Sequence, residues 1–337
     1  MTRSTHLVLL AAAFGIAATV AADAAKFEAK VASLNPPTHA SYRGLVAAVE
    51  MIKQRTNGDV VITVYPSSQL GGPRQMVEGV QLGTIELANT PTAWVAGFNP
   101  LVSVLDIPYV LPSNRDVSRK LLEGPFGQHV LETFRKRGLE AIAVWPGGRK
   151  LLTSSKSLSD ISALAGQRIR IMDSKILVEQ MKALGAIPIV VPFGEVYTAL
   201  QNGVIDGQEN PADATHSMKF FEVQKNVLVT DHGAITELIL ANPAWLGKLP
   251  ENYRAVVKSA FAAVSLQVEN GRDEDSRKAI EVFKQRNLNV RVADEAERAK
   301  LRAAIYPAAR NAYISTAGAG AKEIIELYEK ELAKLTK

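Results

Sequence analysis

The sequence predicts an α/β protein of two lobes. Short strand-like runs alternate with helical runs along the chain, a pattern typical of α/β folds. Without residues 1–24, about 310 residues remain, which is more than a single hydrophobic core usually holds. A helical pattern from Glu251 to about Arg286 is much longer than a typical globular helix and is long enough to lie across both lobes.

Residues 1–24 are typical of an export signal. A short polar start precedes an apolar run from Leu7 to Ala22, and small residues then offer cleavage sites of the A-x-A type. The run is shorter than the ~20 residues of a membrane-spanning helix, so a membrane anchor is the less favoured alternative. We expect a periplasmic protein that begins near Asp23 or Ala25, with no stable membrane insertion of the mature chain.

The first part of the mature chain predicts three strands and two helices. Thr38 is a suitable helix N-cap, the alternation of apolar residues from Val60 indicates a strand, and Pro73 suits the first turn of a helix. The predicted elements are a strand at Phe27–Leu34, a helix from Thr38 to about Thr56, a strand at Val60–Val64, a helix opened by Pro73 and a strand at Ile85–Asn89.

The second part predicts three further strands, one short helix and the long helix. The short elements are strands at Leu139–Trp145, Arg168–Met172 and Ile187–Val191 and a helix at Ile176–Leu184 closed by Gly185. The pattern after Glu251 contains no proline and would extend ~50 Å at 1.5 Å per residue. Its alternatives are a coiled-coil arm, or two helices broken near Gly271, its one weak position.

Composition and motifs argue against several classes of function. The net charge is +5, but lysines and arginines are spread along the chain and aromatic residues are few, which does not suit a nucleic-acid surface. The absence of cysteine excludes disulfides and thiolate chemistry. No histidine pair has metal-ligand spacing, and no nucleophile elbow or phosphate-binding loop occurs. We expect no cofactor, metal or catalytic site, although an enzyme using paired carboxylates is the main rival class.

Several motifs spread over the mature chain resemble a known family. They include Trp145–Arg149 (WPGGR), Leu164–Arg170 (LAGQRIR), Pro192–Gly203 (PFGEVYTALQNG) and Val204–Pro211 (VIDGQENP), together with Tyr65–Gly71, Leu105–Tyr109 and Phe221–Lys225. With these blocks the chain resembles the dicarboxylate-binding-protein-like solute-binding proteins of TRAP (tripartite ATP-independent periplasmic) transporters. The block that ends at Pro211, downstream of two arginines, is the most specific of these signals.

The resemblance implies a two-lobed α/β clamp of the periplasmic-binding-protein type, with a hinge and a long helix that braces both lobes. We expect one lobe to comprise residues 25–145 with 235–270, and the other residues 146–234 with 271–337. A small organic acid would bind between the lobes, and an ion-gradient-driven membrane permease would be the partner. The alternative is a carboxylate-binding protein that serves a sensor or another class of transporter.

Two arginines are the strongest candidates for the ligand site. By similarity, Arg170 matches the arginine that grips the ligand carboxylate, and Arg149 matches a second arginine. A guanidinium forms two parallel hydrogen bonds with a carboxylate, which an ammonium cannot reproduce. Arg168 shares a strand face with Arg170 because side chains alternate with period two, but it lies farther from the carboxyl end where ligands bind. We therefore expect Arg168 to contribute little.

Five further residues are candidates for contacts with the ligand. The amide of Asn210 can donate to a carboxylate oxygen, and Phe193 can pack on the carbon skeleton. Asn35, Thr92 and Trp145 are weaker candidates, and Trp145 has packing in the hinge as its alternative. Sialic-acid-binding relatives carry acidic groups at the positions of Pro73 and Pro91, so the resemblance favours a smaller ligand such as a dicarboxylate, keto acid or aromatic acid.

Overall fold

Two β-sheets with helices packed around them form the computed structural model, which describes residues 25–336. The predicted export signal lies outside the described residues. The strands, numbered along the chain, are β1 (Phe27–Ser33), β2 (Val60–Tyr65), β3 (Leu87–Pro91), β4 (Glu140–Trp145), β5 (Lys150–Ser154), β6 (Arg168–Ile171), β7 (Ile187–Val190), β8 (Gly207–Pro211), β9 (Asn226–Val229), β10 (Glu237–Ala241) and β11 (Asn289–Val292).

Each sheet forms the centre of one lobe. The first sheet has the order β2-β1-β3-β10-β4, and the second has the order β11-β9-β5-β8-β6-β7. Within the first sheet, β1 pairs in parallel with β2 and β3, while β10 is antiparallel to β3 and β4. The predicted α/β fold with two lobes is therefore confirmed, and the alternating strand and helix signals in the sequence account for it.

The helices cover both sheets. They are α1 (Ala40–Arg55), α2 (Pro73–Leu82), α3 (Arg115–Glu123), α4 (Pro125–Glu132), α5 (Lys175–Lys182), α6 (Val196–Gln201), α7 (Ala212–Ser217), α8 (Pro243–Lys248), α9 (Glu251–Ala263), α10 (Ser265–Gln285), α11 (Glu295–Thr316) and α12 (Ala321–Leu335). The cap of α1 is His39 rather than Thr38, because the His39 ring accepts the amide N–H of Ser41. None of the described helices is long and apolar enough to cross a membrane.

The long helical pattern after Glu251 is two helices, not one. The break lies at Val264, seven positions before the expected weak point at Gly271. Gly271 lies inside α10, where an added Cβ would come within 3.2 Å of the Cβ of Ala40, so the glycine allows close packing on α1. Since α10 packs on α1 of the first lobe and α7 of the second, it is the brace, and the coiled-coil alternative is wrong.

The C-terminal helices do not follow a single lobe. Helix α11 packs mainly on α5 beside the second sheet, whereas α12 packs on α3 and α4 of the first lobe. The expected assignment of residues 271–337 to the second lobe therefore does not describe α12. Its apolar side, with Ile324, Ile325 and Tyr328 buried, explains why it joins the first-lobe core.

Two connecting segments pass between the sheets side by side. Residues 146–149 lead from β4 to β5, and residues 230–236 lead from β9 to β10. They are hydrogen bonded to each other, with the amide of Ile235 donating to the carbonyl oxygen of Gly148 at 3.1 Å. A Cβ on Gly147 would lie 1.0 Å from the carbonyl oxygen of Ile235, so only glycine permits this approach.

Candidate functional site

A small cavity lies where residues of both lobes meet. Its volume is about 20 Å³, far below the range of about 300–1,000 Å³ for ligand sites, so a ligand would require the lobes to move apart. Most of its wall is apolar. The lining residues are Leu34, Asn35, His39, Pro91, Trp94, Met172, Phe193, Asn210, Ala214, Ile235, Glu237 and Arg272.

The guanidinium of Arg170 lies beside this cavity and lacks a counter-ion in contact. The side chain is fully buried, and its Cζ lies 5.9 Å from the ring centroids of Trp94 and Phe193, both of which line the cavity. Nε donates to the carbonyl oxygen of Val191 at 2.9 Å, and neither terminal nitrogen has a hydrogen-bond partner in the described residues. Burial lowers the pKa of Arg170 to about 10. A carboxylate would remove the cost of this unpaired charge.

Strand β6 explains why Arg170 is buried and Arg168 is not. Arg168 begins the strand, its side chain is 41% exposed, and it pairs with Asp206 at 2.8 Å. Arg170 lies two residues farther along, between β7 and β8, where the sheet is covered. The same alternation buries Ile169 on the opposite face of the strand.

Three of the other predicted site residues line the cavity. Asn210 lies on β8 beside β6; its Nδ2 donates to Oε1 of Gln208 at 2.5 Å, and its Oδ1 has no partner in the described residues. Phe193 follows β7 and flanks the guanidinium of Arg170. Asn35 comes from the first lobe, two residues after the end of β1.

The remaining three predicted site residues do not line the cavity. The Arg149 guanidinium, 25% exposed, is held by Asp231 and by the carbonyl oxygen of Leu111. Trp145 is fully buried in the first-lobe core, and its indole N–H donates to the carbonyl oxygen of Phe261 at 2.8 Å. The hydroxyl of Thr92 donates to Asp106 at 2.6 Å. Existing partners therefore engage the polar groups of all three side chains.

Sequence reasoning missed a buried ionic cluster at the cavity, which we call the Arg272 network (Arg272, Asp213, Glu237 and His39). Arg272 of the brace helix lies 2.9 Å from the carboxylate of Asp213 and 3.1 Å from that of Glu237, and His39 Nε2 lies 3.2 Å from Asp213. These residues come from α10, α7, β10 and the start of α1, so no local motif in the sequence indicates them.

The opposite charges of the Arg272 network stabilise one another. Burial alone would lower the pKa of Arg272, but the charges of Asp213 and Glu237 raise it above its ordinary value. Burial alone would likewise raise the pKa of Asp213, but the charge of Arg272 and the contact with His39 hold it well below its usual range. The network therefore joins the brace helix to both lobes through close contacts between opposite charges.

A second buried cluster inside the second lobe surrounds Glu209. Its carboxylate lies 3.0 Å from Lys150 Nζ and 2.8 Å from His232 Nε2 and accepts from Gln180 at 2.7 Å. Burial would raise the pKa of Glu209, but Lys150 and His232 hold it well below its usual range. Of the two neighbouring cations Arg149 and Lys150, it is thus Lys150 whose charged group is buried. The described residues contain no group of histidine and acidic side chains arranged to hold a metal ion.

A family model with the description "Bacterial extracellular solute-binding protein, family 7" matches residues 31–316. The chain belongs to this family. It consists of substrate-binding transport proteins, and solute-binding proteins of TRAP transporters with bound carboxylates share the fold. The resemblance seen in the sequence motifs is therefore confirmed over residues 31–316.

Three relatives illustrate the range of ligands. The chain is 32% identical to the C4-dicarboxylate-binding periplasmic protein DctP of Rhodobacter capsulatus, over 81% of this chain and 82% of that one. It is 34% identical to the 2,3-diketo-L-gulonate-binding periplasmic protein YiaO of Escherichia coli, over 72% and 74%. It is 46% identical to a TRAP periplasmic solute-binding protein of Desulfovibrio salexigens solved with orotic acid, with a TM-score of 0.90 over 92% and 99%.

Proposed function

We propose that this chain is the periplasmic receptor that captures one small organic acid between its lobes and delivers it to a TRAP-type permease. The observation that carries the proposal is the guanidinium of Arg170, buried beside the cavity with neither terminal nitrogen hydrogen bonded to any of the described residues. A carboxylate fits this fork with two parallel hydrogen bonds. Asn210, on the neighbouring strand, can contribute a further polar contact.

The proposal also states that the protein acts in the periplasm and that it does not convert its ligand. The segment 1–24 directs export and is then removed, which releases the receptor into the periplasm. The ligand binds reversibly and leaves unchanged. Mass spectrometry of secreted protein tests the first point, and recovery of intact ligand after incubation tests the second.

Orotate is the first ligand to test. The relative with 46% identity over most of its length was solved with orotic acid. The aromatic rings of Trp94 and Phe193 and the ring of Pro91 suit a planar molecule.

A screen of organic acids on purified residues 25–337 tests the function. A ligand at about 1,000 times its dissociation constant stabilises the folded state by ~4 kcal/mol, which a thermal-shift assay detects. The matched variants Arg170→Lys and Arg168→Lys separate specific capture from general attraction of anions. The proposal is wrong if no carboxylate raises the melting temperature, or if Arg170→Lys responds like the wild type.

The permease is tested by uptake. Vesicles that contain a TRAP permease pair should accumulate labelled ligand only when this chain and an ion gradient are both present. Uptake without the gradient would favour another class of transporter. Binding with no uptake by any permease pair would favour a sensor as the partner.

A further inference from the structure

Charge is unevenly distributed around the cavity. Arg170 has no carboxylate in contact in the described part of the chain, so its side of the cavity carries a surplus positive charge. In the Arg272 network, the two carboxylates of Asp213 and Glu237 share a single guanidinium, which leaves a surplus negative charge.

Two neighbouring groups do not alter this balance. His39 Nδ1 accepts the amide N–H of Ser41 at 3.1 Å and its Nε2 lies 3.2 Å from Asp213, so the ring contacts Asp213 and leaves the contact of Glu237 with Arg272 unchanged. Lys150, the other deeply buried cation of the second lobe, is matched by Glu209 at 3.0 Å. The cavity thus offers one cation that is free to pair with a ligand anion.

Glu237 is the acidic member of the Arg272 network that lines the cavity. Its Oε1 accepts from Arg272 at 3.1 Å and from Asn35 at 3.3 Å, whereas among the described residues Oε2 accepts only from Asn89, at 3.0 Å. A carboxylate has about four acceptor sites, so Glu237 retains one for a ligand donor and has nothing to offer an anion. The bonds from Arg272, Asn35 and Asn89 also hold it in place.

We propose that Glu237 determines specificity: the cavity takes a planar monocarboxylate that carries N–H donors away from its carboxylate, and it excludes dicarboxylates. This inference rests on the proposed function, because the carboxylate on Arg170 sets the orientation of the ligand. An N–H directed at Glu237 forms a charge-assisted hydrogen bond. A second carboxylate would instead meet a buried like charge in a water-poor site. A hydroxylated chain would leave several O–H groups against apolar wall.

Calorimetry with three matched aromatic acids tests the inference. Orotate has one carboxylate and ring N–H groups, benzoate has one carboxylate and no N–H, and benzene-1,3-dicarboxylate adds a second negative charge to the benzoate ring. For the wild type we expect benzoate to bind about 100-fold more weakly than orotate, and the dicarboxylate more weakly still.

The variant Glu237→Gln removes the charge and keeps the shape of the side chain. We expect orotate to lose about 10-fold or more in affinity, benzoate to change little, and the dicarboxylate to gain about 10-fold. Unchanged benzoate binding shows that the variant is folded. If it does not fold, the ranking of the three acids by the wild type decides alone.

The outcomes separate this inference from the proposed function. Binding of carboxylates that depends on Arg170, but with the dicarboxylate or benzoate equal to or tighter than orotate, overturns the role of Glu237 and leaves the receptor function intact. An unchanged ranking in Glu237→Gln overturns it as well. Binding of no carboxylate, or binding indifferent to Arg170→Lys, overturns the proposed function itself.

Discussion

Arg170 and Arg272 are both almost fully buried beside the same cavity, yet their surroundings differ completely. Arg272 contacts two carboxylates that belong to different lobes. Arg170 has a single backbone acceptor and two aromatic rings. A buried ion pair that is complete holds the fold together, whereas a buried cation without a partner costs stability unless a ligand pairs with it. The contrast supports the proposal that Arg272 stabilises the fold and that Arg170 binds the ligand.

The largest effect should be the loss of ligand affinity in Arg170→Lys, which tests the proposed binding role of this arginine. Removing a well-formed buried partner costs ~3–5 kcal/mol, and an ammonium cannot reproduce the two-bond fork. We expect the affinity for the ligand to fall about 100-fold or more by calorimetry.

Arg168→Lys is the control for that experiment. Its half-exposed pair with Asp206 should tolerate lysine, so the variant should bind nearly normally. Equal losses in the two variants, or a larger loss at Arg168, would mean that the anchor is assigned wrongly.

The second effect is on stability and concerns Arg272→Met. This change leaves Asp213 and Glu237 buried without their shared cation, so we expect the free energy of unfolding in urea to fall by ~3–5 kcal/mol. The matched variant Arg170→Met removes an unpaired charge and should cost much less. A similar loss in both variants would erase the distinction between the two arginines.

Asp106 is a third buried ionisable group with which the two arginines can be compared. Its carboxylate accepts hydrogen bonds from the hydroxyls of Thr92 and Ser174 but has no salt bridge in the described residues. Burial raises the pKa of its carboxyl to about 6. Since the folded-state pKa is the higher one, the contribution of Asp106 to stability is full below its unfolded pKa of about 4 and is lost as the pH rises through 6.

The stability of the variant Asp106→Asn should therefore increase relative to that of the wild type as the pH rises. We expect the difference in unfolding free energy between the two proteins to shift by up to about 3 kcal/mol between pH 4 and 7. Urea unfolding over this range measures it. A difference that stays constant would show that Asp106 does not titrate as its burial indicates.

The smallest effect should be that of Arg149→Lys. Its guanidinium already has a carboxylate, that of Asp231, and lies away from the cavity wall. We expect a change of less than about 1 kcal/mol in both binding and stability. A loss of affinity close to that of Arg170→Lys would restore Arg149 as a ligand residue and would mean that the hinge rearranges on binding.

The fold could be predicted from the sequence where its signals are local. Alternation, caps and glycines place six of the eleven described strands, β1 to β4, β6 and β7, close to their observed positions, whereas β5 and β8 to β11 were not predicted. The break at Val264 and the docking of α12 on the first lobe depend on tertiary contacts, which no proline or glycine marks.

The site divides in the same way. The family motifs contain Arg170, Phe193 and Asn210, and the fold places them on or just after the neighbouring strands β6, β7 and β8. Arg149 was one residue away from the buried cation, Lys150, and a slip of one residue on a strand points a side chain to the opposite face. The partners of Arg272 lie 35 and 59 positions away in sequence, so only the folded chain reveals the network.

The backbone contact of Gly147 with Ile235 has a mechanical consequence. Two of the segments that join the sheets are bonded to each other, so neither can stretch or twist without the other, and with α10 as a third connection we expect the lobes to open about a single axis. If the lobes move with one degree of freedom, a single measured distance between them reports how far they have opened. Because the sequence contains no cysteine, two introduced thiols, one on α1 and one on α5, would carry a pair of dyes at defined positions and turn this receptor into an optical gauge of its ligand.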